Sequence, residues 1–205
     1  MISAEPAPRV VGLVLAAGEG SRLGTPKALV TDADGVSWLV RAIETLAVGG
    51  TAAVYAVVGA ASERVRELAP AAVTVVEAVD WAEGMGASLR TGLSAVVDAE
   101  PAADAALVLL VDTPGVGPEV VRRMIERAAP DALARATYDG VPGHPVLIGS
   151  DHWAGVIESA RGDRGARAYL STHGVVDVEC GDMADGTDID TPDALEAWQR
   201  RGQPT

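Results

Sequence analysis

The sequence predicts an α/β fold in which helices cover both faces of a mostly parallel, Rossmann-like sheet, giving three layers. Short apolar runs alternate with segments of helical periodicity, which is the pattern of successive strand and helix units. The run 105–111 has no polar alternation, which indicates a central strand covered on both faces. With 205 residues, of which 48% are hydrophobic, the chain can form one domain with a full core.

The predicted strands are the short apolar runs 10–16, 53–58, 73–77, 105–111, 134–138, 145–148 and 175–179. The predicted helices are 38–46, 88–97, 120–128, 153–159, 165–170 and 192–199. Pro192 follows Thr191, which is the order of a helix N-cap and a first-turn proline. We expect residues 1–9 to form an N-terminal tail and residues 10–200 a single domain.

The charge of the chain restricts its ligands. The formal net charge is −13, which argues against nucleic acid as a partner. An anionic substrate would need a local cluster of cations and backbone N–H groups, and loop 18–27 is the best candidate. A single cysteine, Cys180, excludes a disulfide framework and favours the reducing cytoplasm. The apolar run 10–17 is too short to cross a membrane, and we interpret it as a buried first strand rather than a signal peptide.

Residues 12–29 read GLVLAAGEGSRLGTPKAL, so a predicted strand stops at a glycine-rich loop. A strand that ends in glycines before a helix places backbone N–H groups together and forms an anion site. The dinucleotide fingerprint does not fit, because Leu23 stands where its third glycine belongs. The other common phosphate loop does not fit either, because Lys27 is followed by Ala28 and not by Ser or Thr.

This stretch resembles the signature L-A-x-G-x-x-x-R-(M/L)-G-x-x-K of the MobA/MocA-like nucleotidyltransferases, which activate sugar phosphates and the molybdenum cofactor. The resemblance implies the nucleotide-diphospho-sugar transferase type of fold. It further implies that the base is bordered by Leu15, Ala16 and Ala17 and that the triphosphate is admitted by Gly18 and Gly20. Arg22 and Lys27 would neutralise phosphate oxygens during catalysis. The Arg22 guanidinium offers a planar fork of donors, and the Lys27 ammonium offers a compact charge. The alternative is an ordinary loop with two solvated cations.

Residues 80–93, DWAEGMGASLRTGL, resemble an element of the molybdenum cofactor cytidylyltransferase branch. The resemblance places Gly84 and Ser88 close to the nucleotide, with Asp80 and Trp81 nearby. The alternative is a helix N-terminus capped by local polar groups.

Asp112 follows the predicted central strand, and ligands collect at the carboxyl ends of such strands. The family has an aspartate here that holds Mg²⁺, usually in D-Q-P or D-M-P, whereas this chain has Asp112-Thr113-Pro114. The resemblance therefore assigns Asp112 to the metal and to catalysis. The alternative is that Asp112 caps the helix near Pro118.

Two later stretches, YDGVPGHPVLI (138–148) and GDRGARAYL (162–170), resemble the same branch. They imply that His144 and Arg167 lie on the acceptor side. The alternatives are a structural histidine and a surface arginine.

Residues 187–195, TDIDTPDAL, match a further element of the branch, and a carboxylate from it would complete the Mg²⁺ site with Asp112. We choose Asp190 and keep Asp188 as the near alternative. Alternation along a strand would aim both side chains the same way, so their spacing does not choose between them. Asp193 is expected to support the dipole of the last helix.

The resemblance implies a molybdenum cofactor cytidylyltransferase, which joins CMP from CTP to the phosphate of a molybdopterin-type cofactor and releases pyrophosphate. Ala17, in LAAG rather than LAGG, favours cytidylyl over guanylyl transfer. The alternatives are a nucleotidyltransferase for a sugar phosphate or another small phosphate, and a non-catalytic carrier of the cofactor. A molybdoenzyme or its chaperone would be a protein partner; no membrane is expected to take part.

Overall fold

The computed structural model of the chain describes residues 7–32 and 34–201. Seven strands form one sheet in the order β3-β2-β1-β4-β6-β5-β7. They are β1 (Val10–Ala16), β2 (Ala53–Val58), β3 (Thr74–Glu77), β4 (Ala105–Leu110), β5 (Leu133–Tyr138), β6 (Val141–Gly149) and β7 (Val176–Glu179). The helices are α1 (Trp38–Gly49), α2 (Ser62–Leu68), α3 (Met85–Ala99), α4 (Pro118–Ile125), α5 (Trp153–Ser159), α6 (Arg167–Leu170) and α7 (Pro192–Arg201).

Strand β1 shows why the molecule has three layers. All of its residues are buried, and they alternate between two separate hydrophobic cores. Val10 and Val14 belong to the core that includes α1 and α4, whereas Leu13 and Leu15 belong to the core that includes α3 and α5. A strand covered on both faces is apolar throughout, which is why its sequence lacks polar alternation. The predicted three-layer α/β fold is confirmed.

The sheet is parallel except at β6, which runs antiparallel to both β4 and β5. The hairpin between β5 and β6 turns at Asp139 and Gly140, which have φ values of 51° and 77°. Two successive residues with positive φ give the tight turn that suits a twisted hairpin. Because the hairpin pairs up to this turn, β6 begins at Val141, four residues before the predicted strand.

Several predicted boundaries are wrong by a few residues, and helix α2 was not predicted. Strand β4 ends one residue early, because the chain turns at Val111. Helix α7 begins as predicted, since the Ala194 amide donates to Thr191 Oγ1 at 3.3 Å. Of the expected tail, residues 1–6 lie outside the described residues, while the Arg9 amide donates to Asp104 at 2.7 Å. Among the described helices, none has the length and hydropathy needed to cross a bilayer.

Candidate active site

The carboxyl ends of β1 and β4 form a crevice. The chain runs from β1 outward to β2 and β3 and then returns to place β4 on the other side of β1. Ligands of open α/β sheets bind at such a reversal of strand order. The loop after β1 carries Lys27, and the turn after β4 carries Asp112, so both predicted residues reach this crevice.

The glycine loop folds back on itself through Gly20. Its carbonyl accepts hydrogen bonds from the amides of Leu23 and Gly24 at 2.9 and 2.8 Å. Gly20 has φ +66°, and a Cβ there would lie 1.9 Å from the carbonyl oxygen of Thr25. Only glycine fits this close approach at a positive φ. The fold of the loop returns the chain to the crevice, where Lys27 begins a short 3-10 turn (Lys27–Leu29).

Lys27 lies between two aspartates. Its Nζ donates to Asp112 Oδ2 at 2.6 Å and also to Asp190 Oδ1. The side chains of Lys27 and Asp112 are only 17% and 16% exposed, so the alternative of two solvated cations is wrong for Lys27, although the Arg22 side chain is largely exposed. Lys27 is also the only lysine in the sequence. The three residues come from distant parts of the chain and tie the glycine loop to the turn after β4.

Asp190 reaches this cluster because its segment is fastened to the turn after β4. The Ile189 amide donates to the backbone carbonyl of Asp112 at 2.9 Å, and the Ile189 side chain is buried in the core. Arg22 Nη2 lies 2.7 Å from the second oxygen of Asp190, although the Arg22 side chain is 71% exposed. Both oxygens of Asp190 therefore have cationic partners.

Asp112 keeps one oxygen free. Its Oδ1 is buried and has no hydrogen-bond partner among residues 7–32 and 34–201. Helix α4 has Gly117 as its N-cap with no side-chain cap bond, so the alternative of Asp112 as a helix cap is wrong. A buried carboxylate oxygen without a donor is costly unless a ligand completes it.

The pKa values of the cluster follow from burial and mutual charge. Burial, together with the negative charges of Asp188 and Asp190, raises the pKa of Asp112 above its ordinary value, although Lys27 acts to lower it. Burial also acts to raise the pKa of Asp190, but Lys27 and Arg22 outweigh it and hold that pKa below the ordinary value. For Lys27, burial acts to lower the pKa, and the two carboxylates raise it by more.

A cavity of about 450 Å³ opens at the cluster. Its lining includes most of the residues predicted to bind the nucleotide, namely Leu15, Ala17, Gly18, Gly20, Arg22, Lys27, Gly84 and Ser88, together with Asp112 and Asp190. Trp81, on the 3-10 turn Trp81–Glu83, also lines it. Two predicted residues do not: Ala16 packs in the core on the other face of the sheet, and Asp80 is exposed just before that turn.

A second cavity, of about 340 Å³, adjoins the first, and the two share Leu15, Met85, Leu110 and Asp163 in their linings. Both residues predicted for the acceptor side, His144 and Arg167, line the second cavity. The sequence analysis did not select Met85 or Asp163. Asp163 lies against the start of α3, where a Cβ on Gly84 would meet its Oδ1 at 2.4 Å.

The chain is similar in sequence to known proteins. Residues 12–178 match the MobA-like NTP transferase domain. The chain belongs to this family. It is also 34% identical over 201 residues to the nicotine blue oxidoreductase of Paenarthrobacter nicotinovorans. The aligned region covers 92% of this chain and 95% of that protein.

Solved structures share the fold of this MobA-like chain. The Rv0371c protein of Mycobacterium tuberculosis superimposes with a TM-score of 0.77 at 26% identity, over 95% of this chain and 100% of that one. A complex of that protein with manganese superimposes with a TM-score of 0.75 at 26% identity, over 95% of this chain and 100% of that one. A nucleotidyl transferase of Methanothermobacter thermautotrophicus superimposes with a TM-score of 0.80, over 94% of this chain and 97% of that one. Its sequence identity is 20%, so this similarity supports the fold alone.

The two candidate metal ligands near the end of this MobA-like domain, Asp188 and Asp190, line different cavities. Asp190 lines the first cavity, whereas Asp188 lines the second. Residues 187–190 are not part of a strand, so the predicted alternation that would aim both side chains the same way is wrong. The contact of Asp190 with Lys27 and Arg22 distinguishes it from Asp188.

His144 lies in β6 at the irregularity in its pairing with β5, and its carbonyl accepts a hydrogen bond from the Tyr138 hydroxyl at 2.6 Å. Burial of its ring and the positive charge of Arg167 lower the pKa of His144 to about 4. The imidazole is therefore neutral at physiological pH and can offer one donor and one acceptor to a ligand in the second cavity.

Proposed function

We propose that the protein transfers CMP from CTP to the terminal phosphate of a molybdopterin-type cofactor and releases pyrophosphate. The observation that carries the proposal is the position of the Lys27, Asp112 and Asp190 cluster. It lies in the first cavity, and that cavity shares a wall with the second. Two cavities that meet beside a charged cluster suit a reaction that joins two phosphates.

The triphosphate would lie along the glycine loop. At Gly18 an added Cβ would meet nothing within 4 Å, so the backbone is open to a close ligand. Lys27 and Arg22 would stabilise negative charge that builds on the transferring phosphate and on the pyrophosphate. Leu15 and Ala17 would border the base, and Ala17, which stands where the guanylyl branch has glycine, supports cytosine over guanine.

A divalent metal fits the residues present, and we assign Mg²⁺ to Asp112 and Asp190. The unpartnered Asp112 Oδ1 supplies an oxygen of the kind that a hard cation prefers. In the part of the chain that the structure describes, no three His, Cys, Asp or Glu side chains form a metal-binding group. Nucleotide oxygens and water would complete the coordination. The bound metal would supply charge stabilisation at the phosphates.

The acceptor phosphate would enter from the second cavity, guided by Arg167 and His144. One of its oxygens bonds to the α-phosphorus of CTP, while the bond from that phosphorus to the β-phosphate bridge breaks and pyrophosphate leaves. A phosphate nucleophile is already ionised at neutral pH, so the residues have to align and stabilise charge rather than remove a proton. A cytoplasmic molybdoenzyme, or its chaperone, would receive the product.

The test is pyrophosphate release from each of the four nucleoside triphosphates with Mg²⁺, in the presence and absence of the molybdenum cofactor. We expect release that requires the cofactor and is fastest with CTP. Release with GTP alone, or with a sugar phosphate as acceptor, would replace the proposed substrates with those of the alternatives. Tight nucleotide binding without any release would favour the carrier.

An oxidoreductase is a second candidate, favoured by the name of the Paenarthrobacter relative, nicotine blue oxidoreductase. The assay is oxidation of NADH or NADPH by a quinone dye, with the Asp112→Asn variant alongside the natural protein. Oxidation in proportion to protein concentration, retained by the variant, would support this candidate. Loss of pyrophosphate release in the same variant would assign Asp112 to nucleotidyl transfer.

A further inference from the structure

The position of Lys27 between Asp112 and Asp190 bears on how a metal enters the site. We propose that Lys27 holds these carboxylates before substrate binding and competes with a divalent cation for them, so that metal and triphosphate enter together. The inference rests on the proposed function, because it assigns Asp112 and Asp190 to the metal. It adds an order of binding that the proposed function does not require.

The geometry makes the ammonium group a substitute for a metal ion. Lys27 Nζ contacts one oxygen of each aspartate, so these two oxygens already have a cationic partner. Arg22 occupies the second oxygen of Asp190. Of the four carboxylate oxygens, only Asp112 Oδ1 is left without a partner among the described residues. One oxygen is a poor site for a hard cation, which takes six or more oxygen ligands.

Charge leads to the same order of binding. Lys27 and Arg22 balance the charges of Asp112 and Asp190, so these four groups together carry no net charge, and Asp188 adds one negative charge near Asp112. A divalent cation alone would add two positive charges beside a half-buried ammonium, where repulsion is stronger than in bulk water. A triphosphate carries more negative charge than the metal brings, and it offers the ammonium and guanidinium groups new partners. Lys27 would then exchange carboxylate oxygens for phosphate oxygens while the metal takes the carboxylates.

The first test measures Mn²⁺ binding without nucleotide by electron paramagnetic resonance. Lys27→Gln and Lys27→Met should both bind Mn²⁺ about tenfold more tightly than the natural protein, because the competing charge is gone. Lys27→Gln keeps a hydrogen-bond donor and serves if Lys27→Met folds poorly. Adding Asp112→Asn to Lys27→Gln should remove the gain.

Two control variants separate occupation of the site from a general change of charge. Arg22→Gln removes the positive charge that contacts Asp190 but leaves the Lys27 ammonium in place. Its affinity for Mn²⁺ should therefore rise much less than that of Lys27→Gln. Arg9→Gln removes the same charge at the opposite end of β1, where Arg9 pairs with Glu100 at 2.6 Å, and should gain none. Equal gains in Arg22→Gln and Lys27→Gln would overturn the proposal.

The second test uses the fact that the chain has a single lysine. In protein labelled with ¹³C-lysine, the Cε signal reports on Lys27 alone. Mg²⁺ alone should leave this signal unmoved, and Mg²⁺ with CTP should shift it. A shift of equal size with Mg²⁺ alone would show that the metal displaces the lysine unaided, which contradicts the proposal.

The two proposals fail in different ways. Suppose that none of the four triphosphates, each added with Mg²⁺, shifts the lysine signal, and that calorimetry detects no binding of any of them. Both the proposed function and the order of entry are then wrong. If the metal–nucleotide complex binds while Lys27→Gln gains no affinity for Mn²⁺, the proposed function stands and the competition is wrong.

Discussion

Lys27 Nζ lies 2.6 Å from Asp112 Oδ2, although the two residues are 85 positions apart in the chain. Lys27 follows β1 through the glycine loop, and Asp112 follows β4 directly. The parallel pairing of β1 with β4 brings these two ends together. The ion pair therefore links the two sides of the crevice, and its loss should affect both the chemistry and the stability of the protein.

The first prediction is that Lys27→Gln reduces both turnover and stability. Turnover should fall by about 100-fold or more, because a charge that stabilises the transferring phosphate is lost. The free energy of unfolding should fall by about 2 kcal/mol at neutral pH, because Asp112 is left buried without its partner. Urea denaturation and pyrophosphate release measure the two effects separately.

The control for this prediction is the double variant Lys27→Gln with Asp112→Asn. Removing the unpaired carboxylate should restore part of the lost stability, while activity stays low. A double variant less stable than Lys27→Gln alone would show that Asp112 stabilises the fold independently of Lys27.

The second prediction compares two glycines in the same loop. Gly18→Ala should fold with an unchanged melting temperature, because an added Cβ meets no atom within 4 Å. It should nevertheless weaken CTP binding by about tenfold, since the methyl group occupies space that the triphosphate would use. Differential scanning fluorimetry and calorimetry measure the two quantities.

Gly20→Ala is the matched comparison, because its Cβ would meet the Thr25 carbonyl at 1.9 Å and its φ is +66°. This variant should lower the melting temperature as well as the affinity, since the loop itself has to move. Equal CTP affinity in Gly18→Ala and the natural protein would show that the triphosphate does not approach Gly18.

The sequence motifs led to the residues at the ends of β1 and β4, because strand ends and glycine loops have local signatures. Lys27, Asp112 and Asp190 do meet in one cluster. Local sequence patterns do not indicate how turns that are far apart in the chain pack against each other. Asp163 reaches both cavities because the turn Gly162–Arg164 packs against Gly84, and no spacing along the chain indicates that contact.

The order β4-β6-β5 could not be predicted from apolar runs either. Strand β6 packs against both cores, through Leu147 on one face and Val146 and Ile148 on the other, so its apolar run looks like that of a parallel strand. The useful local signal was Asp139-Gly140, the dipeptide of a tight hairpin turn, which the sequence analysis did not use. That turn makes β6 run against its neighbours and places His144 beside the second cavity.

The third prediction concerns acid stability and Glu179. Hydrogen bonds from the backbone amides of Gly181, Gly140 and Asp139 and from the hydroxyl of Thr137 lower the pKa of Glu179 from 4.5 to about 2. The ionised carboxylate therefore stabilises the fold fully above about pH 5, and this contribution is lost as the pH falls towards 2. Glu179→Gln should be less stable than the natural protein at neutral pH, by a difference that shrinks as the pH falls.

Urea denaturation at a series of pH values from about 7 to about 3 measures this difference. Glu196→Gln is the control, because Glu196 forms an exposed pair with Arg200 at 3.4 Å, and its effect should be small at every pH. A constant difference between Glu179→Gln and the natural protein across the series would show that ionisation of Glu179 is not the source of the stabilisation.

The fourth prediction is that His144 stays neutral well below the ordinary pKa of histidine. Its pKa of about 4 lies below the ordinary 6.5, so folding stability should fall as the pH drops from 6.5 towards 4. The ring proton signals of His144 should titrate near pH 4 in an NMR pH series, with His152→Gln and His173→Gln used for assignment. Arg167→Gln should raise the midpoint, because it removes the nearby positive charge.

Arg164→Gln is the matched control for Arg167→Gln, because Arg164 lines the same cavity but is not a cause of the lowered pKa of His144. It should leave the midpoint close to that of the natural protein. A midpoint near 6.5 in the natural protein would mean that the ring is open to solvent. His144 would then present a charge to an acceptor phosphate in mild acid, and its proposed part as a neutral hydrogen-bonding group in the second cavity would be wrong.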